Sequence, residues 1–498
     1  MAIMASEEGV IGGTRPTLTL AGPRLLLATA FALALAARLA AGWTLPLWFD
    51  ESFTATIAAQ PDFAGLLRWC LSELTGPAFY MGMWGWAKLA GTSDAALRLP
   101  PLLFSFGAPL LIAWKGHERL NIRCFWAAAC LLWLPMLAMA SEARSYPQLF
   151  FLSAAQAIAF RRLLHRPNRN AALLWSTLTA LAVLTHYYSL LVSGLEALAI
   201  LATQRRRWMA LLPAALPLLA AAAWMLFHLS FVLFFAVGLF GHYNPVPPAA
   251  MVLLPVWVLG MGPQSLVLPA ALVLTSREWR AAALRQSPEA LLVWCAVAAI
   301  ALLALSSLFR PTLMPRYLTP AMPGLMFGVA LWADRLWPRS RAIVLAVYAS
   351  LASALLLALL LGPDDIRFRE RRHFELETAS RWLVEGGPER LYFLWSTPTG
   401  ALSAQGQGIE NLRQVAGFEF ARSGRPVDVR LVDWTGERNR MLVTAARGDP
   451  AAALLWVSDN RLPDGVRPAV EQLDPTWTCR DFGGEGILVY ACRRRAGG

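Results

Sequence analysis

The 498-residue sequence is 57% hydrophobic and only 15% charged, and its mean hydropathy of +0.48 exceeds what a soluble core needs, which excludes an ordinary soluble protein. A net charge of +12 would suit nucleic acid if the cations formed one face. Most arginines instead fall in short clusters between apolar runs and read as topology signals.

The first 24 residues lack the short apolar core and small-residue cleavage site of a signal peptide, so the run from Leu25 is expected to be a retained anchor behind a cytoplasmic segment, 1–24. Windows of about 20 apolar residues predict spans near 25–47, 97–115, 122–140, 147–163, 171–187, 188–204, 209–236, 251–274, 289–308, 317–334 and 341–362. The fold class expected is thus a polytopic α-helical membrane protein with about eleven crossings over residues 25–362. Basic clusters at Lys115/Arg119/Arg123, Arg161/Arg162/Arg166/Arg169, Arg205/Arg206/Arg207, Arg277/Arg280/Arg285 and Arg335/Arg339/Arg341 occupy every second gap, as cytoplasmic loops require. The N-terminus is then inside, and the remaining loops and the C-terminal tail lie on the external face.

The first external loop, about 48–96, is long for a connection, which favours a functional role. Its amphipathic, aromatic stretches at 63–73 and 77–90 read as helices lying in the headgroup plane. After Gly362 the composition turns polar, and 363–498 reads as an external α/β domain. A helix is expected at 372–385, followed by the β-rich runs "RLYFLW", "VDVRLVDW", "AALLWVSD" and "GILVYACR". Cys479 and Cys492 fall in the last pair of strands, where an oxidising compartment favours a disulfide; two separate buried thiols are the alternative.

Adjacent acids, Asp50 and Glu51, stand where the first span emerges. Carboxylates are costly in hydrocarbon, so acids at the rim are boundary markers or chemistry. Trp48, Phe49 and Phe53 give them a partly desolvated setting suited to a general base. Three further segments on the same face supply Glu142, Arg144 and Tyr146, then His186, Tyr187 and Tyr188, then Arg316 and Tyr317. Arginine can hold phosphate through paired N–H donors, and tyrosine can donate to a phosphate or sugar oxygen. Singly, these residues read as snorkelling anchors or aromatic belt; together they describe a phosphate-lined cavity beside a carboxylate.

The order of "FDESFTATIA", "GPAFYMGMWGWAKLAGTSDAALRLPPLLF", "SEARSYPQLF", "THYY" and "PRYLTPAMPG" resembles the GT-C superfamily of polyprenyl-phosphate-sugar-dependent glycosyltransferases. That group includes protein O-mannosyltransferases, aminoarabinose transferases and lipopolysaccharide-core sugar transferases, and the resemblance covers roughly residues 25–335. It implies that Asp50 is the catalytic base and that Arg144 binds the donor phosphate. Arg316 would share that role, while Glu51, Tyr80, Glu142, Tyr146, His186, Tyr187 and Tyr317 would line the donor or substrate site. Glu51 and His186 are candidate holders of a divalent metal cation. Where many members read "HPPLYY" this chain reads "TGPAFY", so Pro77 and Tyr80 match and the His does not. The partners implied are a polyprenyl-phosphate-sugar donor, an acceptor on an envelope glycan, lipid or protein, and the bilayer of a bacterial inner membrane, with no nucleic acid. A transporter or flippase of a lipid-linked sugar is the rival reading. It is disfavoured by the lack of an inverted half-repeat and by polar residues collected on one face, not at the midplane.

Overall fold

The structure is a computed structural model that describes residues 21–40, 47–140, 142–204, 208–240, 246–276, 287–309, 313–360, 375–395, 403, 405–432, 446, 448–458, 470, 474–483 and 488–494. Residues 1–20, the basic clusters at 205–207 and 277–286, and the start of the expected tail helix at 372–374 lie outside the described residues.

The chain enters as helix α1 (Ala21–Ala40) and then builds the first loop from α2 (Phe49–Ala58), α3 (Phe63–Cys70) and α4 (Pro77–Ala90). Next come α5 (Asp94–Lys115), the broken pair α6 (Leu120–Leu131) and α7 (Leu134–Ala140), then α8 (Tyr146–His165), α9 (Arg169–Thr185) and α10 (Ser189–Thr203). Helices at Leu216–Phe240, Pro288–Ser307, Met322–Leu336 and Arg341–Leu360, and a second broken pair, Pro248–Leu259 with Gln264–Leu274, follow.

Every expected apolar run thus coincides with a helix or a broken helix. Among the described residues, however, five helices are long and apolar enough to cross a membrane, or up to seven if each bent pair is one span. This makes the chain a multi-pass membrane protein, but the support does not extend to eleven crossings. The physical reasons are local: α9 and α10 have only 17 and 15 residues, and α8 carries Gln148 and Gln156 and ends in Arg161, Arg162 and His165. The bends of 61° and 100° fall beside Pro135 and at Gly260–Pro263, where Gly260 has φ +85° and proline withholds a helix donor.

Several polar groups inside the bundle pair across helices, as a dry interior favours. The Trp126 indole donates to the Pro323 carbonyl and the Tyr348 hydroxyl to that of Phe125, both at 2.8 Å. Gln156 Nε2 donates to Glu196 Oε2 at 2.8 Å.

The first-loop helices have clear local causes. Asp62 caps α3 by accepting from the Gly65 amide at 2.7 Å, and the helix stops at Cys70, three residues short of the expected 73. Pro77 opens α4, where its missing N–H costs nothing. Just before it, Gly76 lies so close to α9 that a Cβ there would sit 2.0 Å from the Leu184 carbonyl oxygen. Gly76→Ala is therefore expected to destabilise the protein by about 3 kcal/mol or more, since backbone must move to admit the methyl. Thermal unfolding of the purified variant checks this, and an unchanged melting temperature would contradict it.

The tail carries the helix Glu375–Glu385 and a five-stranded sheet of β1 (Arg390–Trp395), β2 (Asp428–Leu431), β3 (Ala452–Ser458), β4 (Trp477–Asp481) and β5 (Leu488–Arg494), in the order β2-β1-β3-β5-β4. β1 is parallel to β2 and β3, and β5 is antiparallel to β3 and β4. A parallel β1–β2 pair needs a crossover, which contains the helix Gln407–Arg422. Alternation sorts the strands: Leu391, Phe393, Leu455 and Val457 face the two tail helices, while Tyr392, Leu394, Leu454 and Trp456 pack with Trp477 and Tyr490 on the other face. Cys479 and Cys492 stand opposite each other on β4 and β5 and form a disulfide.

This domain is seated on the first loop. Glu377 accepts from the Leu47 amide at 2.7 Å, Arg422 pairs with Asp94 at 2.7 Å, and Gln414 accepts from the Trp69 indole at 2.8 Å. Trp395 meets Phe49 with ring centroids 4.6 Å apart.

Candidate active site

The adjacent acids of "FDES" have separate environments. On the first turn of α2, Glu51 is fully buried and held by Arg98 of α5, whose Nε and Nη2 donate to it at 2.9 and 2.5 Å. The amides of Ala143 and Trp48 add further bonds at 2.6 and 3.1 Å. Four donors on two carboxylate oxygens leave Glu51 as the clasp joining α2, α5 and the 142–145 turn. Glu142 also lies within electrostatic range of Arg98, so its charge belongs partly with this clasp.

Asp50, one residue earlier, retains about a third of its side-chain exposure. Arg144 reaches it from the turn before α8: Nη1 donates to the Asp50 backbone carbonyl at 3.0 Å, and Nη2 stands 3.9 Å from Oδ2. The carboxylate is therefore oriented beside a cation without being sealed by it. Arg316 also lies in electrostatic range of Asp50 and of Tyr146. Its Nε is buried with no hydrogen-bond partner among the described residues, and its guanidinium stacks over Tyr317 at 5.2 Å. A guanidinium with a buried, unused donor is placed to receive an anion.

An aromatic floor sets these cations. His186 lies 5.5 Å from Tyr146, 5.5 Å from Tyr188 and 5.9 Å from Tyr317, ring centroid to centroid. Tyr188 and Tyr317 stack at 4.3 Å with planes 17° apart. The segments "FDES", "SEARSY", "THYY" and "PRY", far apart in sequence, thus converge on one patch.

Two expected residues take other places. Tyr187 turns away from its neighbours toward the helix Leu216–Phe240, where its hydroxyl bonds His228 Nδ1 at 2.7 Å and accepts from the Trp224 indole at 2.9 Å. Consecutive residues of the "THYY" turn cannot all face one way, and Tyr188 takes the position in the aromatic floor. Glu51 is engaged as described. Among the described residues no group of three or more His, Cys, Asp and Glu is placed to hold a metal ion. Glu51 and His186, the pair considered above, belong to no such group.

Sequence reasoning also passes over Glu73. It follows α3, accepts from the Tyr80 hydroxyl at 3.1 Å, and lies in electrostatic range of Arg144 and Asp50. Burial pushes its carboxyl up to about 7, against the opposing influence of Arg144 and the Tyr80 bond. The available signal was a lone acid seven residues before Tyr80, in a turn closed by Gly76-Pro77.

No protein-family model and no curated protein matches the sequence. Among solved structures, the chain is similar to ArnT from Cupriavidus metallidurans bound to undecaprenyl phosphate, with a TM-score of 0.55 and 14% identity over 94% of this chain and 97% of that one. The apo form of the same protein gives a TM-score of 0.54 at 13% identity, over the same shares. Arabinofuranosyltransferase AftD from Mycobacteria gives 0.45 at 16% identity, over 95% of this chain and 42% of that one. The chain is therefore similar in fold to ArnT over most of its length.

Proposed function

We propose that the chain is an inverting glycosyltransferase that moves a sugar from a polyprenyl-phosphate-linked donor to an acceptor hydroxyl at the external face of a bacterial inner membrane. The single observation that carries this reading is the arrangement of Arg144 and the partly unpartnered Arg316 around the accessible carboxylate of Asp50. Two guanidinium groups facing one carboxylate leave positive charge for a phosphate. The shared fold with a protein crystallised with undecaprenyl phosphate supports the lipid donor, and a site at the end of the helices suits a phosphate whose tail stays in the bilayer.

In this reading the acceptor oxygen attacks the anomeric carbon while the bond from that carbon to the phosphate oxygen breaks. The bonding pair leaves with the phosphate, where Arg144 and Arg316 stabilise it. Asp50 accepts the acceptor's proton and later returns it to solvent. The products are the glycosylated acceptor and the polyprenyl phosphate. The N-terminus is cytoplasmic and the tail external.

Mass analysis of envelope glycans from cells with and without the gene tests the function: one sugar residue should be missing from one class of glycan, and identical profiles would overturn the reading. Arg144→Lys is expected to reduce transfer about tenfold or more although the charge is kept, because an ammonium lacks the planar paired donors. Equal undecaprenyl phosphate affinity in the two proteins would count against the phosphate role.

A further inference from the structure

A cavity of about 520 Å³ opens between three parts of the chain that the mechanism above does not use. The first loop contributes Trp69 and Glu73, the outer end of Leu216–Phe240 contributes Phe231 and Phe235, and the tail contributes Ser403 and Asn411. None of Asp50, Arg144, Tyr146 or Arg316 lines it. Glu73 alone belongs to both places, since it borders the cavity and its charge lies in range of Asp50 and Arg144.

We propose, resting on the glycosyltransferase reading, that this cavity is the acceptor subsite, that it takes a carbohydrate, and that Glu73 binds the acceptor's hydroxyls and turns the ring toward Asp50. The volume falls within the range of small-molecule sites, which are mostly apolar with a few placed polar groups. The lining suits a sugar in particular: aromatic rings pack against its C–H faces, and the carboxyl, hydroxyl and amide groups of Glu73, Ser403 and Asn411 meet its hydroxyl edge. The donor's phosphate is not a good match here. Among the described residues the only cation on the wall is Arg68, whereas the paired arginines stand around Asp50. With its carboxyl raised to about 7, Glu73 retains a proton over part of the neutral range and can both donate to and accept from hydroxyls. The Tyr80 hydroxyl fixes its orientation.

The experiment uses the full chain in lipid nanodiscs, with radiolabelled undecaprenyl-phosphate sugar as donor and an extract of the source cells' envelope glycans as acceptor. Asn411→Trp and Ser403→Phe fill the cavity from the tail side, and Glu73→Gln removes the carboxylate. Each is expected to raise the half-saturating amount of extract about tenfold or more, with a smaller effect on the rate at saturation and with undecaprenyl phosphate binding retained. The exposed Arg413→Ala on the same tail helix should match the wild type. Unchanged half-saturation in Glu73→Gln and both filling variants, beside an active wild type, would overturn the acceptor subsite alone. Loss of undecaprenyl phosphate binding in both filling variants would overturn it by assigning the cavity to the donor or the scaffold. A wild type that consumes no donor would overturn the glycosyltransferase reading, and the subsite with it.

Discussion

Asp50→Asn is expected to lower sugar transfer by on the order of 10³-fold, within the usual contribution of a general base. The amide keeps the size of the side chain but cannot accept the acceptor's proton. Folding should survive, because Asp50 is held chiefly through its backbone carbonyl, which Arg144 bonds at 3.0 Å whatever the side chain. Undecaprenyl phosphate binding should be equal or tighter, since one negative charge has left the neighbourhood of Arg144 and Arg316. Initial rates and lipid binding measured on the same preparation check both halves. Turnover within a few-fold of wild type would remove Asp50 from the chemistry.

The neighbouring residue should behave in the opposite way. The side chains of Glu51 and Arg98 are 0% and 3% exposed, so removing one partner strands a buried charge at a cost of about 3–5 kcal/mol. Arg98→Met is therefore expected to lower the melting temperature sharply and to abolish activity through loss of folded protein. The Glu51→Gln/Arg98→Met double variant should recover part of the stability, because no charge is left uncompensated. Melting curves of the single and double variants give the coupling directly, and additive losses would show that the pair does not act as a unit. Asp50 variants should thus lose rate while keeping fold, and Glu51 variants should lose fold.

That division was not legible in the sequence. The "DE" pair marks the place, but an acid that takes a proton and an acid that clamps a helix look alike until Arg98, 47 residues away, is seen on one of them. The gathering of Arg144, Tyr146, His186, Arg316 and Tyr317 was legible, because apolar runs of spanning length with polar breaks force those breaks to the membrane's faces. The orientation of Tyr187 was not, since it depends on His228 and Trp224 of a helix some 40 residues on. Glu73 was hidden for a related reason: its burial comes from the folding of the first loop and the seating of the tail, which no local pattern records. The tail's strands were readable from their alternation, as in Leu391, Tyr392, Phe393 and Leu394. Helix length was the weaker inference, because apolar runs such as those of α9 and α10 make helices too short to count as spans by themselves.

The central claim, a sugar passing from a polyprenyl phosphate under the care of Asp50 and two arginines, is tested most directly by following the lipid. Purified protein in nanodiscs is given a panel of undecaprenyl-phosphate sugars together with envelope glycan extract, and free undecaprenyl phosphate is measured by mass spectrometry. The account predicts that at least one donor releases undecaprenyl phosphate in step with appearance of the sugar on extract material, and that Asp50→Asn reduces both to near background. Sugar transfer without release of the lipid phosphate, or equal release by the wild type and Asp50→Asn, would contradict it.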